Sequence, residues 1–388
     1  MAKIRPRIRN VTSPHVSTSS ASGIVRQRRR NFSKVTASNV AAVISIPELD
    51  TAAMRAARER QSRLTKPAGS LGRLEELAIR IAGMTGQLDP PLELAVVFTL
   101  AADHGVADEG VSAYPADVTA QMVANFLRGG AAINVLANVV GARVVVADLG
   151  VKSDLAQADG LVSRKIRPGT ANITRGPAMT GREAERAIET GRELVRDELT
   201  NGLDVAITGD MGIGNTTASA AIVCALTGLD PDAVVGRGTG VDDAGLERKR
   251  HAVREALRVN SDAIARGPVE TLAAVGGLEI AGLVGVVLGA AQSRRPVIVD
   301  GFISGAAALV ASRMAPAAMG FMIASHRSGE LGHGAVLEQL GLKPLLDLEL
   351  RLGEGTGGAL ALPIVRASMR LLNDMATFED AGVSDRVS

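Results

Sequence analysis

Tryptophan is absent from the 388 residues, tyrosine and cysteine occur once each, and aromatic residues make up 2% of the chain. These absences exclude several things. A lone cysteine, Cys224, rules out an intrachain disulfide and favours a reducing, cytoplasmic setting. With so few aromatic platforms, stacking against single-stranded nucleic acid has little to work with. The core must be built from Ala, Val, Leu, Ile and Gly, so its helices must lie close together. Acid is missing from the start of the chain: residues 1–47 hold nine Lys or Arg and no Asp or Glu. Beyond them acidic residues outnumber basic ones, so a nucleic-acid footprint on the body of the chain is not expected.

Residues 1–45, rich in Arg and Ser and carrying Arg28-Arg29-Arg30, read as a disordered basic extension. An organellar transit peptide or a start codon assigned too far upstream fits the same stretch. No apolar secretory segment is present there.

What the chain has in quantity is glycine, 43 residues of it, placed between apolar runs. The stretch LDVAITGDMGIGNTTASAAIVCAL (203–226) changes register twice: a β-branched run, a glycine-rich polar loop, then a buried helix from Ala218. Strand, loop and helix in this order place unpaired N–H groups and a positive dipole end where an anion can bind, so a phosphate is expected at residues 212–217. The loop has neither the lysine of a Walker loop nor the GxGxxG spacing, and a plain turn with glycines at positive φ reads equally from spacing.

Polar residues close the apolar runs repeatedly. The run 94–99 leads to Asp103-His104-Gly105, 142–147 to Asp148, 203–208 to Gly209-Asp210, 296–299 to Asp300-Gly301, and 319–324 to Ser325-His326-Arg327. In a parallel sheet these ends share one edge, so Asp103, His104, Asp148, Asp210, Asp300, Ser325 and His326 are candidates for one crevice. Residues 47–86 are helical in pattern and enclose the loop 66–70, where Lys66 reads as a solvated charge. Thr180 and Glu183 form a capping box ahead of an amphipathic helix, and Leu246, Val253, Leu257 and Ile264 mark another stripe. Residues 272–291 approach the length of a membrane span, yet five glycines and the single charge of Glu279 make them a buried helix, with Gly285 and Gly289 allowing close packing. No membrane partner is expected.

Two late loops carry chemistry. SHRSGELGH (325–333) has two histidines at a spacing unsuited to a zinc site, and no metal is expected. LGEGTG (352–357) sets the lone carboxylate of Glu354 among glycines ahead of an apolar helix, which makes it a candidate general base or a solvated loop acid.

Together with DHGV (103–106), GVSAYP (110–115), VTAQMV (118–123) and GDMGIGNTT (209–217), these motifs resemble the nicotinate-nucleotide:dimethylbenzimidazole phosphoribosyltransferases of cobalamin lower-ligand synthesis. The resemblance runs from about Ile46 to Val383. It implies transfer of phosphoribose from nicotinate mononucleotide to 5,6-dimethylbenzimidazole with inversion at C1′, by a homodimer without cofactor or metal. The implied fold is α/β: a Rossmann-like parallel sheet flanked by helices (91–345), with a small helical domain formed from residues 46–90 and 346–388. The family's catalytic glutamate falls on Glu354. Its second acidic position, often Glu, is Asp210 here, one methylene shorter, and a functional lysine is matched to Lys249. The azole pocket maps to Ser112, Tyr114, Gln121, Met122 and Met211, and the phosphate loop to Gly214, Asn215 and Thr216 with Ser325 and Gly329 nearby. A hydrolase using the same crevice with water and a non-catalytic nucleotide-binding regulator stand as the alternatives.

Overall fold

A computed structural model describes residues 44–155 and 158–384; the proposed basic extension lies outside them except for its last two residues. Six parallel strands form the sheet: β1 (Ala95–Ala102), β2 (Ala142–Gly150), β3 (Val162–Ser163), β4 (Val205–Met211), β5 (Val297–Val299) and β6 (Met322–Ala324). Their order is β3-β2-β1-β4-β5-β6. Both faces of such a sheet are covered, which is why β1 is an unbroken apolar run, buried at every residue, rather than an alternating one.

The alternation of side chains along the strands separates the layers. From β1, Val97 and Thr99 face Gly355 and Glu354, and from β4 Ile207 and Gly209 face Gly358 and Glu354, so the Thr356–Asp374 helix covers this side. Leu100 of β1 and Leu149 of β2 meet Gly282 of the Leu278–Gln292 helix on the other. A third layer lies outside that helix, where Gly191 of the Gly181–Thr200 helix packs so closely that an added Cβ would sit 1.9 Å from the Gly282 carbonyl oxygen. At Gly285 the same addition would come 1.9 Å from the Ile188 oxygen. The glycines at 285 and 289 thus serve contact between packed helices whose backbones touch, while Phe98, Phe302 and Phe321 are among the few large aromatic side chains of the core. Cys224 is part of that core, and burial pushes its thiol up to about 12.

Several sequence expectations are corrected in detail. The 272–291 stretch is two helices, Pro268–Val275 and Leu278–Gln292, broken at Gly276-Gly277. The last strand is only Met322–Ala324, since Pro316–Phe321 winds as a 3₁₀ helix, and the two-residue β3 has no sequence signature. The charged stripe ends at Asn260, with Ile264 in a separate turn. Lys66 is not a solvated charge: its side chain is 5% exposed and its Nζ lies 2.8 Å from Glu75 Oε1. The Thr180–Glu183 capping box forms as expected. An apolar stretch at 118–140 is two helices, Val118–Leu127 and Ala132–Val140, separated by Arg128-Gly129-Gly130-Ala131.

The two ends of the described chain meet. Helices Thr51–Arg63 and Arg73–Thr85 pack together, Leu64 bridges Thr377, and Arg60 donates to the carbonyls of Leu372 and Asn373, both at 2.7 Å.

Candidate active site

A cavity of about 520 Å³ opens at the C-terminal ends of β4, β5 and β6. Asp210 and Met211 end β4, Gly301 and Phe302 follow β5, His326 and Ser328 follow β6, and the loop 351–354 completes the wall. Ligands of open α/β sheets bind at this edge.

The loop bearing Glu354 has an unusual backbone. Gly353, Glu354 and Gly355 all have positive φ, at 85°, 63° and 96°. The glutamate is costly there, of order 1–3 kcal/mol, and surrounding structure must hold it. Gly209 lets the loop approach, because a Cβ at that position would lie 2.4 Å from the Glu354 carbonyl oxygen. Thr99 Oγ1 donates to that oxygen at 3.1 Å, and the Ile133 N–H donates to Glu354 Oε2 at 3.3 Å. Asp300 accepts from the Gly355 N–H at 3.3 Å and the Gly358 N–H at 2.9 Å, capping the following helix from the end of β5.

Carboxylates gather here. Burial raises Glu354 above the usual carboxylate range and the charge of Asp300 adds to it, while the Ile133 amide opposes. Burial likewise pushes Asp300 up to about 7, against the backbone amides of Gly358, Gly301, Gly355 and Gly357. Asp210 stands well above the ordinary value through burial and then the charges of Asp300 and Glu279, with only the Asn215 amide, 2.9 Å from Oδ2, pulling it down. Packed this closely in a buried site, the carboxyls do not all ionise together, and each holds its proton more tightly than an exposed acid.

At the other side of the cavity the Asn215–Thr227 helix begins, with Gly214 at φ 98° as its N-cap. Gly212 is not at positive φ; it is required because a Cβ would lie 2.4 Å from the Ala102 oxygen. Lys249, 1% exposed, reaches in from the Asp243–Val259 helix and donates from Nζ to Thr216 Oγ1 at 3.0 Å. Burial lowers its ammonium to about 8, with Glu330 opposing. A helix N-terminus beside a buried lysine is an arrangement for a phosphate.

The proposed site residues divide. Asp210, Glu354, Tyr114, Met122, Met211, Asn215 and Thr216 line the cavity. Lys249 stands directly behind Thr216, and Ser112 contacts the cavity-lining Thr239 at 3.3 Å. Gln121 and Gly329 are exposed and are not among the residues that line it. Ser325 is buried behind the wall: its Oγ donates to the Asp300 carbonyl at 3.0 Å, which leaves the His326 Nδ1–H to donate to Oγ at 2.8 Å. Convergence of the strand ends is therefore partial. Asp210, Asp300 and His326 meet around the cavity, whereas Asp103 accepts from the Lys152 N–H and Asp148 from the Val151 N–H, tying down loops beyond β1 and β2. His104 pairs with the buried Glu279, Nε2 to Oε1 at 2.5 Å, which identifies the partner of that isolated charge. Arg351, whose Nη1 donates to the Gly238 oxygen at 2.9 Å, lines the cavity and escaped the sequence reading, although it stands immediately before LGEGTG. Among the described residues no three His, Cys, Asp or Glu side chains are grouped to hold a metal ion.

The fold and site define an α/β enzyme with its ligand cavity at the strand C-termini. Residues 46–383 match the sequence model of a family described as phosphoribosyltransferase, and the chain belongs to that family. It is 57% identical over 341 residues to the nicotinate-nucleotide–dimethylbenzimidazole phosphoribosyltransferase of Chloroflexus aggregans, covering 88% of this chain and 96% of that one. The enzyme of the same name from Geobacter sulfurreducens is 51% identical over 89% of this chain and 97% of its own. A crystal structure of the Thermus thermophilus enzyme superposes with a TM-score of 0.82 at 50% identity, covering 87% of this chain and all of that one.

Proposed function

We infer that the chain transfers the phosphoribosyl group of nicotinate mononucleotide to 5,6-dimethylbenzimidazole, giving nicotinate and α-ribazole 5′-phosphate in cobalamin nucleotide-loop assembly. The observation that carries the mechanism is one cavity with a buried, strained glutamate at one wall and a lysine-backed helix N-terminus at another. The phosphate docks at Asn215, Thr216 and Lys249. An azole nitrogen attacks C1′ from the face opposite the nicotinate, inverting β to α. The C1′–N bond breaks with its electron pair returning to the pyridinium ring, and the proton on the azole's second nitrogen passes to Glu354. The raised affinity of Glu354 for a proton suits that step, and a general base typically contributes about 10²- to 10⁴-fold. Asp210, which holds its proton to higher pH than an exposed acid, serves as a hydrogen-bond donor in the pocket rather than as the base. The negative charge of ionised Glu354 favours the cationic ribosyl group as the bond breaks.

The azole lies against Tyr114, Met122, Met211 and Leu352, with Ser112 and Gln121 at the outer edge. We read the helices at both chain ends as the small helical domain, supported by the Leu64–Thr377 bridge and the Arg60 contacts. A cytoplasmic homodimer fits the single buried cysteine and the exposed Val135 and Val139 on the Ala132–Val140 helix.

The test is steady-state formation of α-ribazole phosphate by Glu354→Gln. The amide keeps shape and loses the proton acceptor, so kcat is expected to fall about 10²-fold or more with azole affinity retained. Near wild-type kcat with weakened azole binding would assign Glu354 to the pocket alone. Nicotinate release by the wild type without any azole would redirect the assignment to a hydrolase.

A further inference from the structure

Asp300 is 1% exposed and touches the site only from beneath. Its two carboxylate oxygens are divided between the residue that follows Glu354 and the first turn of the next helix, through the Gly355 and Gly358 amides. Its own backbone is fixed on both sides: its N–H donates to Thr208 Oγ1 of β4 at 3.1 Å, and its carbonyl accepts from Ser325 at the end of β6. A carboxylate anchored to three strands thus grips a segment of three successive left-handed residues, one of which is not glycine. No part of the transfer step described above uses it.

We propose that Asp300 is a positioning residue for the reaction: by accepting from the Gly355 and Gly358 N–H groups it holds Glu354 in its left-handed conformation, aimed into the cavity. This rests on the reading of Glu354 as the base. The groups facing Asp300 are Asp210 from β4, Glu354 from the loop and His326 from the end of β6, whose Nδ1 lies 3.9 Å from Asp300 Oδ1. Glu354 in turn faces Asp210, Asp300 and the Ile133 amide, while Arg351 on the same loop is engaged with Gly238. Asp300 and Glu354 are like charges, so each ionises less readily beside the other.

Asp300→Asn tests this. The variant retains one acceptor oxygen but turns an amide donor toward one of the two N–H groups, releasing part of the loop. We expect kcat to fall about 10- to 10²-fold, the scale of a misplacement near 1 Å, with the KM for nicotinate mononucleotide within about threefold of wild type. The acid limb of the kcat profile should also move to lower pH, because Glu354 loses a negative neighbour. A loosened fold alone would lower the amplitude and leave the limb where it was. Wild-type kcat, or a lowered kcat with an unmoved acid limb, would overturn the proposal. Should Asp300→Asn not fold, carboxyl ¹³C titration of Asp300 in the wild type and in Glu354→Gln decides: a lower Asp300 midpoint in the variant supports contact between the two, and an unchanged one overturns it. Absence of α-ribazole phosphate from the wild type would instead sink the function itself, so the two failures are distinguishable.

Discussion

Lys249 arrives beside Thr216 from a helix some thirty residues beyond the glycine loop, which is why the loop itself shows no lysine. Its burial has a kinetic consequence. The ammonium is fully present below a pH of about 8 and is lost above it, so kcat/KM for nicotinate mononucleotide should decline as pH rises through that value. Lys249→Met is expected to raise that KM about tenfold or more and to flatten the alkaline decline, with little change in azole affinity. A decline that survives in the variant would mean another group titrates there. At this scale the sequence was informative about residue type but not about orientation. Asp210, Asp300 and His326 stand out as strand-end polar residues, yet only the strand order decides that they meet while Asp103 and Asp148 turn to loops on the β2 side. Gln121 and Ser325 matched motifs, yet Gln121 is exposed and outside the cavity lining and Ser325 is buried behind the wall.

Elements were legible where burial is complete. The continuous apolar runs of β1 and β4 declared themselves because a parallel sheet covered on both faces needs them, and the Thr180 capping box did so because a helix start leaves N–H groups to be satisfied. Two-residue β3 has too few side chains to carry a pattern, and Gly276-Gly277, though visible as glycines within the 272–291 run, could not be told from Gly282, Gly285 and Gly289 as the point of division because residues on both sides are buried equally. Glycine positions serve contact more than turns, and this gives a separable prediction. Gly285→Ala would drive a Cβ to 1.9 Å from the Ile188 oxygen, forcing the Gly181–Thr200 and Leu278–Gln292 helices apart. Overpacking of this kind costs about 1–3 kcal/mol or more, to be read as a lower urea midpoint with kcat nearly unchanged in the folded enzyme. In contrast, Gly357→Ala meets His326 Nδ1 at 2.0 Å, next to the loop, and should lower kcat as well.

For the molecule as a whole, the family match begins at residue 46 and every motif follows it. Removing residues 1–43 is therefore expected to leave the melting temperature within roughly two degrees and turnover unchanged; a larger drop would show that the segment supports the fold. Opposed titrations shape the stability of the whole. His333, which accepts from the Ser328 N–H and is held neutral by burial down to about pH 3, contributes stability above the unfolded value of 6.5 that is lost as pH falls toward 3. Asp300 acts in the other direction: stability is full below its unfolded value of 3.8 and is lost as pH rises through about 7. Denaturant midpoints for His333→Gln should thus fall less steeply on acidification than those of the wild type.

The peptide between Glu354 and Gly355 is fastened to β1 by Thr99, to β4 by the close approach at Gly209, and to β5 by Asp300. The start of a helix ordinarily frays, and its amides exchange with solvent in seconds to minutes. Here the Gly355 and Gly358 amides are closed off by a buried acid rooted in the sheet, so their deuterium uptake should keep time with the global opening of the molecule rather than with the helix end. Glu354 would then be among the slowest-moving parts of the enzyme, and any adjustment to azoles of different size would fall to the opposite wall, where Tyr114 is 55% exposed.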